Sequence, residues 1–192
     1  MEATYFGKEK STGKPTRYRF TRPSDASFPY MVELFSRRPE LIEPAADCHL
    51  TPLPIAEEVS SLSAILLDDD YYDFVQQGTS VREGLSVLAP EYIVPLKARA
   101  WIDLKGRHER GEDVSRDDIK KHRNDIIRLG QLISPAERIE LPDRIRADLT
   151  EFVERALHEG AEPKVFGVIG MTLTDVRSLL TIVYGLVEPA ST

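Results

Sequence analysis

Two stretches of this chain place charges where a helix should be apolar. On a wheel of 100° per residue, Ile93, Ala100, Trp101 and Leu104 form one arc, and Lys97 falls in its middle. A lysine charge is expensive to bury unpaired. Either the stem covers apolar surface while the ammonium reaches water, or the ammonium faces a cleft and meets a phosphate. In the next helical stretch, Ile119, Ile126, Leu129 and Ile133 share a face. Lys120, Lys121, His122, Arg123 and Asp125 crowd about one and a half turns beside it. This run reads as a solvated basic face with a Lys121–Asp125 pair at i, i+4, or as a phosphate-binding cluster. His122, lying on the apolar face, also fits a satisfied core histidine.

The carboxylates are less suggestive. Asp68, Asp69 and Asp70 contain an Asp-x-Asp, but they stand where a helix should begin. Acidic residues are favoured there by capping and by the helix dipole. Cys48 beside His49 reads as an incidental loop pair. There is no Cys-x-x-Cys, no His-x-x-x-His, no phosphate-binding Gly-x-x-x-x-Gly-Lys loop and no Gly-x-Ser-x-Gly elbow.

Two segments carry a family resemblance. Pro95-Leu-Lys97-Ala-Arg-Ala-Trp-Ile-Asp-Leu104 and Asp117-Asp-Ile-Lys120-Lys-His-Arg-Asn-Asp125-Ile-Ile-Arg-Leu129 resemble the AbiEii-type nucleotidyltransferase-like proteins, which include toxins of bacterial toxin–antitoxin systems. Weaker likeness extends through 28–36 and 60–68, so the resemblance covers roughly residues 15–135. It implies an α/β (α+β) nucleotidyltransferase-like fold, a small mixed sheet followed by a helical half. It also implies a nucleotide triphosphate, Mg²⁺ and transfer of a nucleotidyl group to a hydroxyl. Lys97 would match the helix lysine that meets phosphate, Asp125 the catalytic aspartate of the later helix, and Glu33 a metal-holding acidic residue on a central strand.

The same family relies on a Gly-Ser or Gly-Gly turn followed by Asp-x-Asp, because Mg²⁺ needs paired oxygen ligands on one strand face. That motif is not found in this chain. The expectation is therefore an incomplete nucleotidyltransferase-like protein whose motif-bearing N-terminal segment is missing. It would bind nucleotide or phosphate through Lys97, Lys120, Lys121, His122 and Arg123 without turnover. One alternative is an interaction module, such as a toxin–antitoxin component with an antitoxin or other protein partner. Another is a metal-dependent nucleotidyltransferase using Glu33, Asp68 and Asp70.

These residues need elements to hold them. Thr16–Phe20 and Tyr30–Ser36 alternate like strands around a Pro-Ser-Asp turn. Residues 38–54 read as a surface loop, Ser60–Leu67 as a strand or short helix, and Asp69–Gln77 as a helix ended by Gly78. Val81–Leu88 reads as one strand, and Pro163–Met171 as a loop or short strand. Helices are expected at 91–105, at 116–134 behind a Ser115 cap with Asp118 completing an approximate capping box, at 144–158 stopped by Gly160, and at 174–186. The chain changes character near residue 90, from a sheet region at 1–90 to a helical region at 91–192.

The 192 residues carry a net charge of −7, which disfavours long-range steering to nucleic acid. A single cysteine allows no internal disulfide, the N-terminus has no signal-peptide pattern, and no apolar run approaches the ~20 residues that span a bilayer. A cytoplasmic protein with no membrane partner is expected.

Overall fold

The computed structural model describes residues 4–9, 15–33, 65–66, 68–158, 160 and 162–186. The chain divides into two compact units, Met1–Leu50 and Thr51–Thr192.

In the first unit, branched and aromatic residues form three short strands, β1 (Phe6–Glu9), β2 (Pro15–Thr21) and β3 (Met31–Glu33). They pair antiparallel in that order, with Phe20 opposite Val32. The pairing of β1 with β2 slips between Gly7 and Lys8, where a bulge absorbs extra residues. The turn before β3 is closed by Asp25, whose carboxylate accepts from Ser27 N at 2.9 Å. Both expected strands are present. The part of the second beyond Glu33, the loop at 38–54 and most of Ser60–Leu67 lie outside the described residues.

The second unit is mostly helical. Asp68 caps α1 (Asp69–Gln77) by accepting from Tyr71 N, and Gly78 ends it. Gly78 is required by a close approach: a Cβ there would lie 2.1 Å from the Tyr92 ring. That ring in turn stacks on Phe74 at 4.7 Å.

The stretch expected as one strand is a hairpin, β4 (Thr79–Arg82) and β5 (Leu85–Leu88). Glu83 and Gly84 form its two-residue turn with φ of 51° and 80°. Positive φ at both central positions is the type I′ geometry that matches strand twist. The missing asparagine or aspartate before Gly84 hides that turn from a sequence reading. Among the described residues both sheets are antiparallel, where a mixed sheet was expected.

Four longer helices follow: α2 (Pro90–Glu109), α3 (Arg116–Gly130), α4 (Asp143–Ala156) and α5 (Leu173–Tyr184). The molecule is thus α+β. Ser115 caps α3 by accepting from Asp117 N at 3.2 Å. A complete reciprocal box forms at Thr172 and Asp175, ahead of α5. α4 ends at Ala156, before Gly160. Residues Pro163–Phe166 make one 3₁₀ turn.

α2 is the centre of this unit. It packs against α1, α3 and α4, and buries Val94, Leu96, Ala98, Ala100, Trp101 and Leu104. Trp101 meets Phe152 of α4 edge to face at 5.4 Å. Pro95 lies inside α2 and has no N–H, so the Glu91 carbonyl loses its helical donor. The Tyr184 hydroxyl donates to that carbonyl at 2.6 Å, tying α5 to the gap. Arg146 of α4 donates to the carbonyls of Tyr184 and Gly185, at the C-terminal end of α5.

Tyr184→Phe leaves a part-buried carbonyl without a donor. The expected loss is about 1–3 kcal/mol. Urea unfolding should show a lower midpoint with an unchanged slope. An unchanged midpoint would mean that water or the helix satisfies Glu91 instead.

Candidate functional site

The charges singled out on α2 and α3 sort into two places. Lys97 projects from the α2 face that meets α3. Its ammonium donates to Asp125 Oδ2 at 2.8 Å, with side chains 16% and 23% exposed. The other oxygen, Asp125 Oδ1, accepts from Arg128 at 3.3 Å, one turn further along α3. Asp125 therefore holds a tertiary and a local cation together. The expected pairing with Lys121 is not the one formed. Lys121 is exposed, whereas Lys97 is half-buried and supplies a charge-assisted bond across the seam.

His122 lies one turn before Asp125 on α3. Its Nδ1 is buried and has no hydrogen-bond partner. Burial, and then the nearby Lys97 ammonium, push its pKa down to about 4, against the opposing pull of Asp125. The imidazole is therefore neutral at pH 7.

Arg123 points elsewhere. It is 8% exposed, and its Nε donates to the carbonyl of Ala156 at 2.8 Å, at the open C-terminal end of α4. Its guanidinium also meets Asn124 Oδ1 at 3.3 Å. It covers Gly160 so closely that a Cβ there would be 2.8 Å from Nη2. Helix ends expose unsatisfied carbonyls, and a long guanidinium is well suited to reach them. Lys97 and Arg123 thus engage different partners rather than one shared hollow. Lys120 is exposed and sits 3.6 Å from Asp117.

The carboxylates considered for metal fall in both units. Asp68 caps α1 and also pairs with Arg144 at 2.5 Å. Asp70 is exposed in the first turn of α1. Glu33 stands opposite Arg19 at the end of β3, in the other unit, and its side chain lies outside the described residues. Among the described residues no three His, Cys, Asp or Glu side chains are grouped to hold a metal ion. Cys48 and His49 also lie outside them.

Two polar groupings were not singled out from the sequence. Arg128 was detectable, because it stands three residues from Asp125 on one helix face. The second joins three helices. Tyr71 donates to Asp148 Oδ2 at 2.8 Å, and Arg99 donates to Asp148 Oδ1 at 3.3 Å. Burial and the Asp148 carboxylate raise the Tyr71 pKa, so this phenol stays protonated. No local pattern announces a contact between residues 77 positions apart.

Comparison of the chain with protein-family models, curated proteins and solved structures gives no match, so the resemblance rests on the quoted residues alone. Among the described residues, no helix is long and apolar enough to cross a membrane.

The state of His122 has a consequence for stability. Its folded pKa lies below the usual 6.5, so the unfolded chain takes the proton more readily. The stability it contributes is complete above about pH 6.5 and is lost as pH falls toward 4. With its partial exposure discounted, the loss is on the order of 1–2 kcal/mol. His122→Gln should remove this component. Denaturant melts of both chains at pH 7, 5.5 and 4 should give a difference that changes with pH. A constant difference would place His122 in open solvent.

Proposed function

We propose that the α2–α3 seam binds a phosphate-bearing anion, a nucleotide above all, through Lys97, with His122 and Lys121 beside it, and does not turn it over. One observation carries this reading. Lys97, half-buried on an apolar helix face, is held by a carboxylate that already has a second cation. A phosphate oxygen can take the place of Asp125 Oδ2 at the ammonium while Arg128 keeps Asp125 neutralised. Exchange therefore leaves no buried charge unpaired, the condition that makes most buried ion pairs costly to open.

The resemblance to the AbiEii-type proteins points to the same lysine and aspartate. Absence of the Gly-Ser…Asp-x-Asp motif, together with the engagement of Asp68 in a cap and an ion pair, favours binding over transfer. In this reading Asp125 is the resident counter-ion of Lys97. Mg²⁺ enters as the companion of the nucleotide's phosphates. Arg123 belongs to the end of α4 and Lys120 to the exposed start of α3.

A second reading has its own support. Lys97, Asp125 and Arg128 satisfy one another, as an ion pair that only fastens two helices would. The chain would then be an interaction module, with a protein partner such as an antitoxin and no small-molecule ligand.

Titration calorimetry with ATP and Mg²⁺ separates the two. Lys97→Ala should weaken binding roughly tenfold or more, as loss of a charge-assisted bond does. Asp125→Asn, which removes the competitor, should tighten it several-fold. No heat with the native chain, or binding undiminished by Lys97→Ala, favours the interaction module.

A further inference from the structure

We propose that an anion entering the α2–α3 seam brings a proton with it, taken up by His122. The inference rests on the anion-binding reading above and adds the state of the ligand-bound site.

The geometry leads to it in three steps. First, His122 Nδ1 is buried and unpartnered, an arrangement that costs free energy and that a partner in another state would relieve. Second, charges of both signs act on the ring. Lys97 of α2 and Lys121 of α3 oppose its protonation, while Asp125 and Asp118 of α3 favour it. Arg128 holds the far oxygen of Asp125. The 3₁₀ turn and α5 pack on α3 near its C-terminal end, at Arg128 and Gly130. Third, a tetrahedral dianion at Lys97 changes that balance. The Lys97–Asp125 pair sums to zero charge, whereas Lys97 with a dianion carries one excess negative charge.

That excess lies beside a ring with an unused nitrogen. Protonation turns both imidazole nitrogens into donors, so the buried Nδ1 becomes a group that can bind an anion oxygen or Asp125. The proton comes from the buffer, and no bond other than N–H is made or broken. Linkage then requires reciprocity. The anion raises the proton affinity of His122, and acidification strengthens anion binding. In this scheme His122 is a positioning and charge-matching residue for the ligand.

Inorganic sulfate is the probe, because it stays a dianion between about pH 5.5 and 7.5, where imidazole titrates. Any proton taken up then belongs to the protein. Calorimetry at pH 6.5 in two buffers of different ionisation enthalpy should give about half to one proton absorbed per sulfate bound. His122→Gln should still bind sulfate, a few-fold more weakly, with the uptake abolished. If that variant folds poorly, the imidazole proton shifts of the native chain supply the same test. The His122 midpoint should move from about 4 to 6.5 or above when sulfate is added, a rise of about 2.5 pH units or more.

Sulfate binding without proton uptake, uptake that persists in His122→Gln, or an unmoved His122 midpoint would overturn the inference and leave anion binding standing. A native chain that binds neither sulfate nor ATP would remove both.

Discussion

The burial of α2 is the constraint on which the second unit depends. A helix packed against α1, α3 and α4 carries polar groups into contact with its neighbours, where partners offset the cost of burial; Asp103 Oδ2 is the exception, buried without one. Three of these groups find a partner in a different element. Pro95 opens a gap in the backbone ladder, and Tyr184 of α5 fills it. Lys97 carries a charge into the seam, and Asp125 of α3 meets it. Arg99 finds Asp148 of α4, which also receives Tyr71 of α1. Apolar contacts such as Trp101 on Phe152 supply the attraction between these elements. The polar contacts choose the register in which they meet.

The same constraint shapes the candidate site. An overall charge of −7 gives the molecule no long-range pull on anions, so recognition of one has to be local. Half-burial of Lys97 provides that. It lowers the effective dielectric around the ammonium, which strengthens its bond to Asp125 and would equally strengthen a bond to phosphate. A neutral, under-satisfied His122 next to this pair fits a site that changes its charge when occupied better than a finished core.

Arg123 illustrates how neighbours on one helix come to serve different ends. It follows His122 directly in sequence, yet a rotation of 100° per residue turns it from the α2 seam toward the end of α4. There it satisfies the Ala156 carbonyl and lies across Gly160. A run of cations read along a chain is one feature. Wrapped on a helix, it is divided among the surfaces that helix touches.

Much of the local structure could be read from the sequence. The apolar periods of α2, α3, α4 and α5, the Ser115 cap, the end of α1 at Gly78 and the strand at Pro15–Thr21 all follow from rules acting within a few residues. So did the oddity of Lys97 in an apolar arc, since a charge among apolar neighbours is visible without coordinates. Tertiary structure alone decided what that charge meets. Asp125 lies 28 residues away, and Lys121, the local candidate, is not its partner. It also decided that Arg123 belongs to α4, that Asp148 gathers Tyr71 and Arg99, and that Glu83 and Gly84 fold one expected strand into two. Propensity, capping and periodicity are properties of short segments, whereas the pairing of buried polar groups depends on which helices lie side by side.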